Sequence, residues 1–283
     1  MNAKDLTFGI EIETTLSNAT IRRENMRIGE YHRGVQVPYL PEGWTAERDA
    51  SLRTPRGHTA CEIVSPVLKG EEGIKQVIEV LEILNQKGHN INDSCGTHVH
   101  VFFDPSWSAT KLATLISIVS YLEKGIYATT GTKKRERNGY CGGVRKHENA
   151  NKAKNAMDGN RYHLLNITNL VRRTRPTVEF RAFSGSLNPV KIVGWIQICL
   201  GLVERALDTK RLPTWEPKPV SGGWKKSGAG QSELERVFGY LKWAAGYRRV
   251  HGGRQYGWIT DVIPQNEIKK ELRRLAKKYD SES

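Results

Sequence analysis

Several things are scarce in this sequence, and each scarcity narrows what the chain can be. No apolar run approaches the ~20 residues that a membrane-spanning helix needs. The opening MNAKDLTFGIEIE has no apolar core of a signal peptide and enters a strand-like pattern at once. A cytoplasmic protein, close to full length, is therefore expected. Only four cysteines are present, Cys61, Cys95, Cys141 and Cys199, with no C-x-x-C pair among them. That spacing argues against a structural zinc site or a disulfide framework and predicts buried free thiols in a reducing compartment. There is no internal repeat, and no RRM, KH, zinc-finger or helix-turn-helix signature. A phosphate-binding loop is also missing, since SGGWKKSGAG (221–230) lacks the G-x-x-x-x-G-K-[ST] spacing.

Acidic residues are outnumbered: 44 Lys plus Arg against 30 Asp plus Glu leave a net charge of +14 over 283 residues. Such a field favours an anionic substrate or nucleic acid as partner and does not specify a fold. The length suffices for one large domain or two small ones with a real core.

Patterning supplies the elements. LTFGIEIETT (6–15) alternates, with Phe8, Ile10 and Ile12 on one side and Glu11 and Glu13 on the other. GHTACEIVSP (57–66) reads as a second strand, and DSCGTHVHVFFD (93–104) as a third, which places His98 and His100 on one face and Val99, Val101 and Phe103 on the other. YHLLNITNL (162–170) and PTVEFRAFSGS (176–186) read as strands, the latter aligning Glu179, Arg181 and Phe183. Helical spacing predicts helices at 71–88, 109–127, 188–208, 231–248 and 264–279. Residues 129–161 are polar, basic and aperiodic, and predict a long mobile loop. Several strands carry one polar face. The pattern predicts an α+β fold, with an antiparallel or mixed sheet, helices on one face and an open concave face on the other. Residues 1–230 are expected to form the catalytic domain and 231–283 a C-terminal helical extension packed on it.

If these strands are neighbours, Glu11, Glu13, Glu62 and Glu179 converge with His98, His100 and Arg181, and Asp49 lies just before the second strand. Taken singly, E-x-E is the solvated side of a strand, H-x-H suggests a zinc hydrolase, and E-x-R is a weak ion pair. Taken together, so many carboxylates need a counter-charge. An oxygen-rich set with imidazoles and no thiolate suits Mg²⁺, with Mn²⁺ as a substitute, and such a bowl with an arginine suits the phosphates of ATP.

The order of these motifs resembles a known family. GTHVHV (96–101) resembles the glycine-x-His-x-His element of glutamine synthetase, and GIEIE and EFR its E-x-E and E-x-R strands. The compact succession DASL, CEIVSP, CGTHVHV is closer to the amidoligase family, carboxylate–amine ligases that share the glutamine synthetase and γ-glutamylcysteine synthetase fold. The resemblance spans roughly residues 6–205. It implies that Glu11 and Glu13 bind different Mg²⁺ ions, that His98 and Glu179 are further ligands, and that Glu62 is another. It implies His100 near the nucleotide phosphates, Arg181 on the transferring phosphoryl group, Asp49 positioning the amine and Asn166 in polar contact with substrate. Arg135, in the basic segment, is a candidate nucleotide contact, and 129–161 a candidate lid. One departure is that Phe102 and Phe103 follow the second histidine, where glutamine synthetase usually has a serine. The expected activity is ATP-dependent joining of a small-molecule or peptide carboxylate to an amine through an acyl phosphate. A nucleic-acid-binding or nucleic-acid-modifying protein and a metal-dependent hydrolase using His98 and His100 are the alternatives.

Overall fold

The computed structural model describes residues 1–217, 229–244 and 254–282. The N-terminal alternation becomes strand β1 (Thr7–Ser17), whose Phe8, Ile10 and Ile12 are buried on one face while Glu11 and Glu13 occupy the other. Helix α1 (Asn18–Arg23) follows, capped by the Ser17 hydroxyl on the Thr20 amide. Then come β2 (Val35–Gln36), β3 (Thr45–Glu47), β4 (His58–Val64), β5 (Leu68–Lys69) and helix α2 (Gly70–Gln86). Gly88, at φ +78°, stops α2 in the left-handed conformation that glycine tolerates.

The histidine strand is β6 (Gly96–Phe102), followed by helix α3 (Ala109–Ala128), α4 (Ala150–Gly159), β7 (Leu165–Asn166), α5 (Thr168–Val171) and β8 (Thr177–Ser184). Helix α6 (Pro189–Asp208) starts with Asn188 bonding the Lys191 amide and proline in the first turn. Helices α7 (Gly230–Tyr240) and α8 (Gln265–Ser281) complete the described chain. The sheet runs β2-β3-β4-β1-β6-β8-β7, with β5 beside β1, and every pairing is antiparallel. The apolar sheet face meets α2, α3 and α6, and Phe183 stacks on Trp195 of α6 at 5.0 Å. Ile268, Leu272 and Tyr279 of α8 join the same core. This is the α+β antiparallel arrangement expected, with one face covered by helices.

Four local expectations need correction. The strand expected at 162–170 is only the two residues of β7, because Asn166 turns back to accept the Thr168 amide and starts α5. The loop expected at 129–161 contains α4, nucleated by Asn149 accepting the Asn151 and Lys152 amides and pinned by buried Ala153 and Met157. The basic residues of this segment are tied down too: Lys133 bonds Glu282, Lys134 bonds Asp93, and Arg145 bonds the Ser120 carbonyl. Phe183 does not share a face with Arg181. A bulge lets one residue of β6 oppose two of β8 between Thr97–Phe183 and Val99–Phe180, which turns Phe183 to the helix side. The helix expected at 231–248 ends at Tyr240, where Lys242 takes a left-handed conformation (φ +61°) and the Trp243 amide bonds the Phe238 carbonyl. Residues 245–248, and 221–228 of SGGWKKSGAG, lie outside the described residues. No helix among the described residues is long and apolar enough to cross a membrane. All four cysteines are buried free thiols.

Candidate active site

Strand register assembles the polar face in three rungs. Glu47 of β3 pairs with Glu62 of β4, and Glu62 with Glu13 of β1. Glu11 of β1 pairs with His98 of β6. His100 of β6 pairs with Glu179 of β8, and Glu179 with Asn166 of β7. Cross-strand partners share a face, so the alternation of each strand aims these groups at one concave surface. The ten residues singled out from the sequence (Glu11, Glu13, Asp49, Glu62, His98, His100, Arg135, Asn166, Glu179 and Arg181) all line one cavity of about 650 Å³.

His98 sits at its centre. Its Nδ1 lies 3.2 Å from Glu11 Oε2, 3.6 Å from Glu62 Oε1 and 3.6 Å from Glu179 Oε1, and its Nε2 lies 3.5 Å from Glu13 Oε1. Burial and Arg181 oppose a proton on this ring, yet its hydrogen bond to Glu11 and the close carboxyls of Glu62 and Glu13 outweigh them and raise its pKa to about 10. Burial, then the charge of Glu11, pushes the Glu62 carboxyl up to about 8. Burial works against ionised Glu11 as well, but His100 and His98 hold it well below the usual carboxylate range. Burial likewise opposes ionised Glu179, and His100 and Arg181 hold it low. The bowl gathers more carboxylate than its own cations neutralise, and it retains protons to compensate.

The donors fall into three overlapping groups, each with its atoms within 4.8 Å of one another: Glu11, His100 and Glu179; Glu11, Glu62 and His98; and Glu13, Asp49 and Glu62. One orphaned atom tests whether divalent ions fit. His100 Nε2 is buried and 3.0 Å from Glu11 Oε1 but makes no hydrogen bond there. An imidazole nitrogen and a carboxylate oxygen that face each other without a usable hydrogen bond suit a shared cation. Mostly oxygen donors with imidazole, and no thiolate, fit Mg²⁺ or Mn²⁺.

The remaining candidates hold this set in place. Arg181 pairs with Glu179 through Nη1, and its Nε bonds the Tyr140 carbonyl at 3.4 Å. Asn166 donates to Glu179 at 2.6 Å. Asp49 accepts the Ser51 amide at 2.7 Å, which sets its loop beside Glu13 and Glu62. Arg135 is buried, and its guanidinium bonds the backbone carbonyls of Arg181 (2.7 Å) and Ala182 (3.3 Å), the two residues that form the bulge opposite His98. A Cβ at Gly96 would lie 3.1–3.3 Å from Arg135, Glu13 and His98, so this position keeps the backbone close to the acids, and its amide bonds Glu13.

Sequence reasoning missed Glu47, which is 7% exposed, with His32 Nδ1 at 3.8 Å. Its strand has only three residues, T-A-E, and no pattern in the sequence marks it. It also missed Tyr31, Tyr162 and Arg161 on the cavity wall.

A family model described as "Putative amidoligase enzyme" matches residues 4–203, which include every residue of the three rungs. No curated protein matches the sequence. Among solved structures, the chain is similar to one in the crystal structure of the complex between prokaryotic ubiquitin-like protein Pup and its ligase PafA, at 9% identity and a TM-score of 0.45. That match covers 98% of this chain and 64% of the other.

Proposed function

This chain belongs to the amidoligase family, and from that premise we propose that it is an ATP- and Mg²⁺-dependent carboxylate–amine ligase. Its substrates would be a small-molecule or peptide carboxylate and an amine. The carboxylate attacks the γ-phosphate of ATP, forming a C–O–P linkage and releasing ADP. The amine then attacks the acyl carbon, expels phosphate and forms the amide or isopeptide bond. Bound divalent ions supply neutralisation of the phosphate charge. Glu11, Glu13, Glu62, His98 and Glu179 would hold them, with Asp49 able to complete the group at Glu13 and Glu62.

The chain's own groups account for the rest. Arg181, fixed by Glu179 and the Tyr140 carbonyl, presents a guanidinium to the transferring phosphoryl group. His100 would meet the phosphates beside Glu11 and Glu179. Asp49 would orient the amine. Asn166 keeps Glu179 in its rotamer. Arg135 supports the bulge that carries Arg181 and is a candidate nucleotide contact from that position. Phosphoryl transfer asks mainly for positioning and charge neutralisation, and a bowl built on strands supplies both. ATP as substrate and four buried thiols fit a cytoplasmic setting.

The observation that carries this reading is the overlap of the donor groups: Glu11 and Glu62 each belong to two of the three. A shared-carboxylate cluster beside an arginine fits a polyphosphate better than a single hydrolytic ion. His98 and His100 also fall in different groups, which disfavours the two-histidine hydrolase. The nucleic-acid reading keeps only the net charge. Calorimetry with Mg²⁺ and ATP tests the proposal. Wild type binds ATP only with the metal present, and Glu13→Gln and Glu179→Gln lose binding or turnover while keeping the fold. Metal-independent binding, or full activity in either variant, would defeat it.

A further inference from the structure

The sheet order puts β2 and β7 at opposite ends of the path. Tyr31, four residues before β2, and Arg161, four residues before β7, nevertheless touch. The Arg161 guanidinium donates to the Tyr31 hydroxyl and lies 5.8 Å from that ring's centroid. Both line the cavity that holds the acids. A contact between the two far edges of a curved sheet, made by residues lining the cavity on its polar face, is a bridge across that face.

Each half of the bridge is firmly mounted. Tyr31 sits on a tight turn in which a Cβ at Gly29 would come 1.9 Å from the Arg33 carbonyl oxygen, and His32 adopts φ +60°. Backbone bonds from Gly29 to Ala46 and from Arg48 to Gly29 fix that turn to β3. Arg161 lies between Asn160, whose side chain accepts the Tyr162 amide, and Tyr162, whose carbonyl accepts the Gly142 amide. Its guanidinium also lies 5.5 Å from the Tyr162 ring, and Tyr162 packs edge-on against Tyr140. The bridging contact itself is a solvent-exposed pair with no carboxylate in it. Rigid mounts joined by a weak exposed contact are what an opening joint needs.

We infer that Tyr31 and Arg161 form a latch that opens to admit the nucleotide and closes over it. The inference rests on the ligase reading for the identity of the ligand, though not for the latch itself. Opening breaks one hydrogen bond and one cation–π contact and leaves both mounts intact, so the latch sets rates of passage more than affinity.

Stopped-flow binding of Mg²⁺ and a fluorescent N-methylanthraniloyl-ATP to the full chain tests this. In Arg161→Ala and Tyr31→Ala, association and dissociation rates both rise, by about tenfold, while Kd changes little. Unchanged rates overturn the latch. A rise in dissociation alone also overturns it, because Arg161 would then be a phosphate contact. If wild type fails to bind the probe, the ligase reading falls. The latch then stands or falls on double electron–electron resonance between nitroxide labels at Arg33 and Asn160 in ligand-free protein, where Arg161→Ala must lengthen and broaden the distance distribution. An unchanged distribution overturns it.

Discussion

Glu13 and Glu62 stand directly opposite each other in the β1–β4 ladder, 6% and 7% exposed respectively. Two buried carboxyls facing across a ladder cannot both ionise without cost, and Glu62 takes up a proton to relieve it, so this pair works against the fold and points to a cation from outside. Glu62→Gln keeps the shape and removes the group that must take up that proton. The metal-free variant should melt higher than wild type, by about 1 kcal/mol of stability. It should also lose the stabilisation that wild type gains from Mg²⁺ or Mn²⁺, together with its activity. Thermal melts in EDTA and in excess metal check both halves, and a variant that melts lower in EDTA would count against the charge conflict.

The titrations of the same groups give a pH profile for metal-free protein. The Glu62 carboxyl rises from 4.5 to about 8 on folding, so between those values the folded chain holds a proton that the unfolded chain has released. Stability from this group is complete below pH 4.5 and is lost as pH rises toward 8. His98, raised from 6.5 to about 10, has the same sign over a higher window. Glu11, held low, has the opposite sign and loses its contribution as pH falls below its ordinary range. Melting temperature in EDTA should therefore peak near pH 5 and decline by several degrees toward pH 8. Metal must displace these protons, so Mn²⁺ affinity should climb with pH, by about tenfold per unit for each proton released. A flat affinity profile between pH 6 and 8 would show that the metal displaces none.

Arg135 supplies a third test. Arg135→Met would remove the guanidinium from which the Arg181 and Ala182 carbonyls at the bulge accept hydrogen bonds. The cost should be about 2 kcal/mol, and turnover should fall with it because Arg181 loses its mount. Arg135→Lys should recover little of either, since one ammonium cannot reproduce a planar fork over two acceptors. Chemical denaturation with parallel kinetics separates the two effects. Wild-type stability in Arg135→Met would refute the bulge role.

How far this site was legible in the sequence follows from its construction. Regular strands translate sequence into geometry directly. Alternation in β1 and β6 fixes which side Glu11, Glu13, His98 and His100 take, and the adjacency and register of the two strands, which alternation does not specify, bring them together. What escaped depends on departures from that regularity. Nothing in V-E-F-R-A-F-S marks a bulge, so alternation alone puts Phe183 on the face of Arg181, although it stacks on Trp195. Helix α4 buries only Ala153 and Met157, too few apolar positions to show a period. Glu47 lies in a strand of three residues, too short to reveal alternation. The Tyr31–Arg161 contact joins positions 130 residues apart through exposed side chains, and no local pattern encodes it.

Metal stoichiometry gives the sharpest test of how the donors are shared. Glu11 belongs to two of the three groups, while Glu179 and Asp49 each belong to one. Mn²⁺ titrated into nucleotide-loaded protein and followed by electron paramagnetic resonance should show more than one bound ion. Glu11→Gln should remove two ions, whereas Glu179→Gln and Asp49→Asn should remove one each and leave the others near their wild-type affinity. Three independent sites would instead lose one ion per substitution wherever it is made. A single-ion loss in Glu11→Gln would thus refute the bridging role of this carboxylate, even with the rest of the bowl intact. Because Glu11 approaches both His98 (3.2 Å) and His100 (3.0 Å), the two-ion loss should also free both imidazoles to titrate closer to an ordinary histidine, an effect that proton NMR of the ring resonances would register directly.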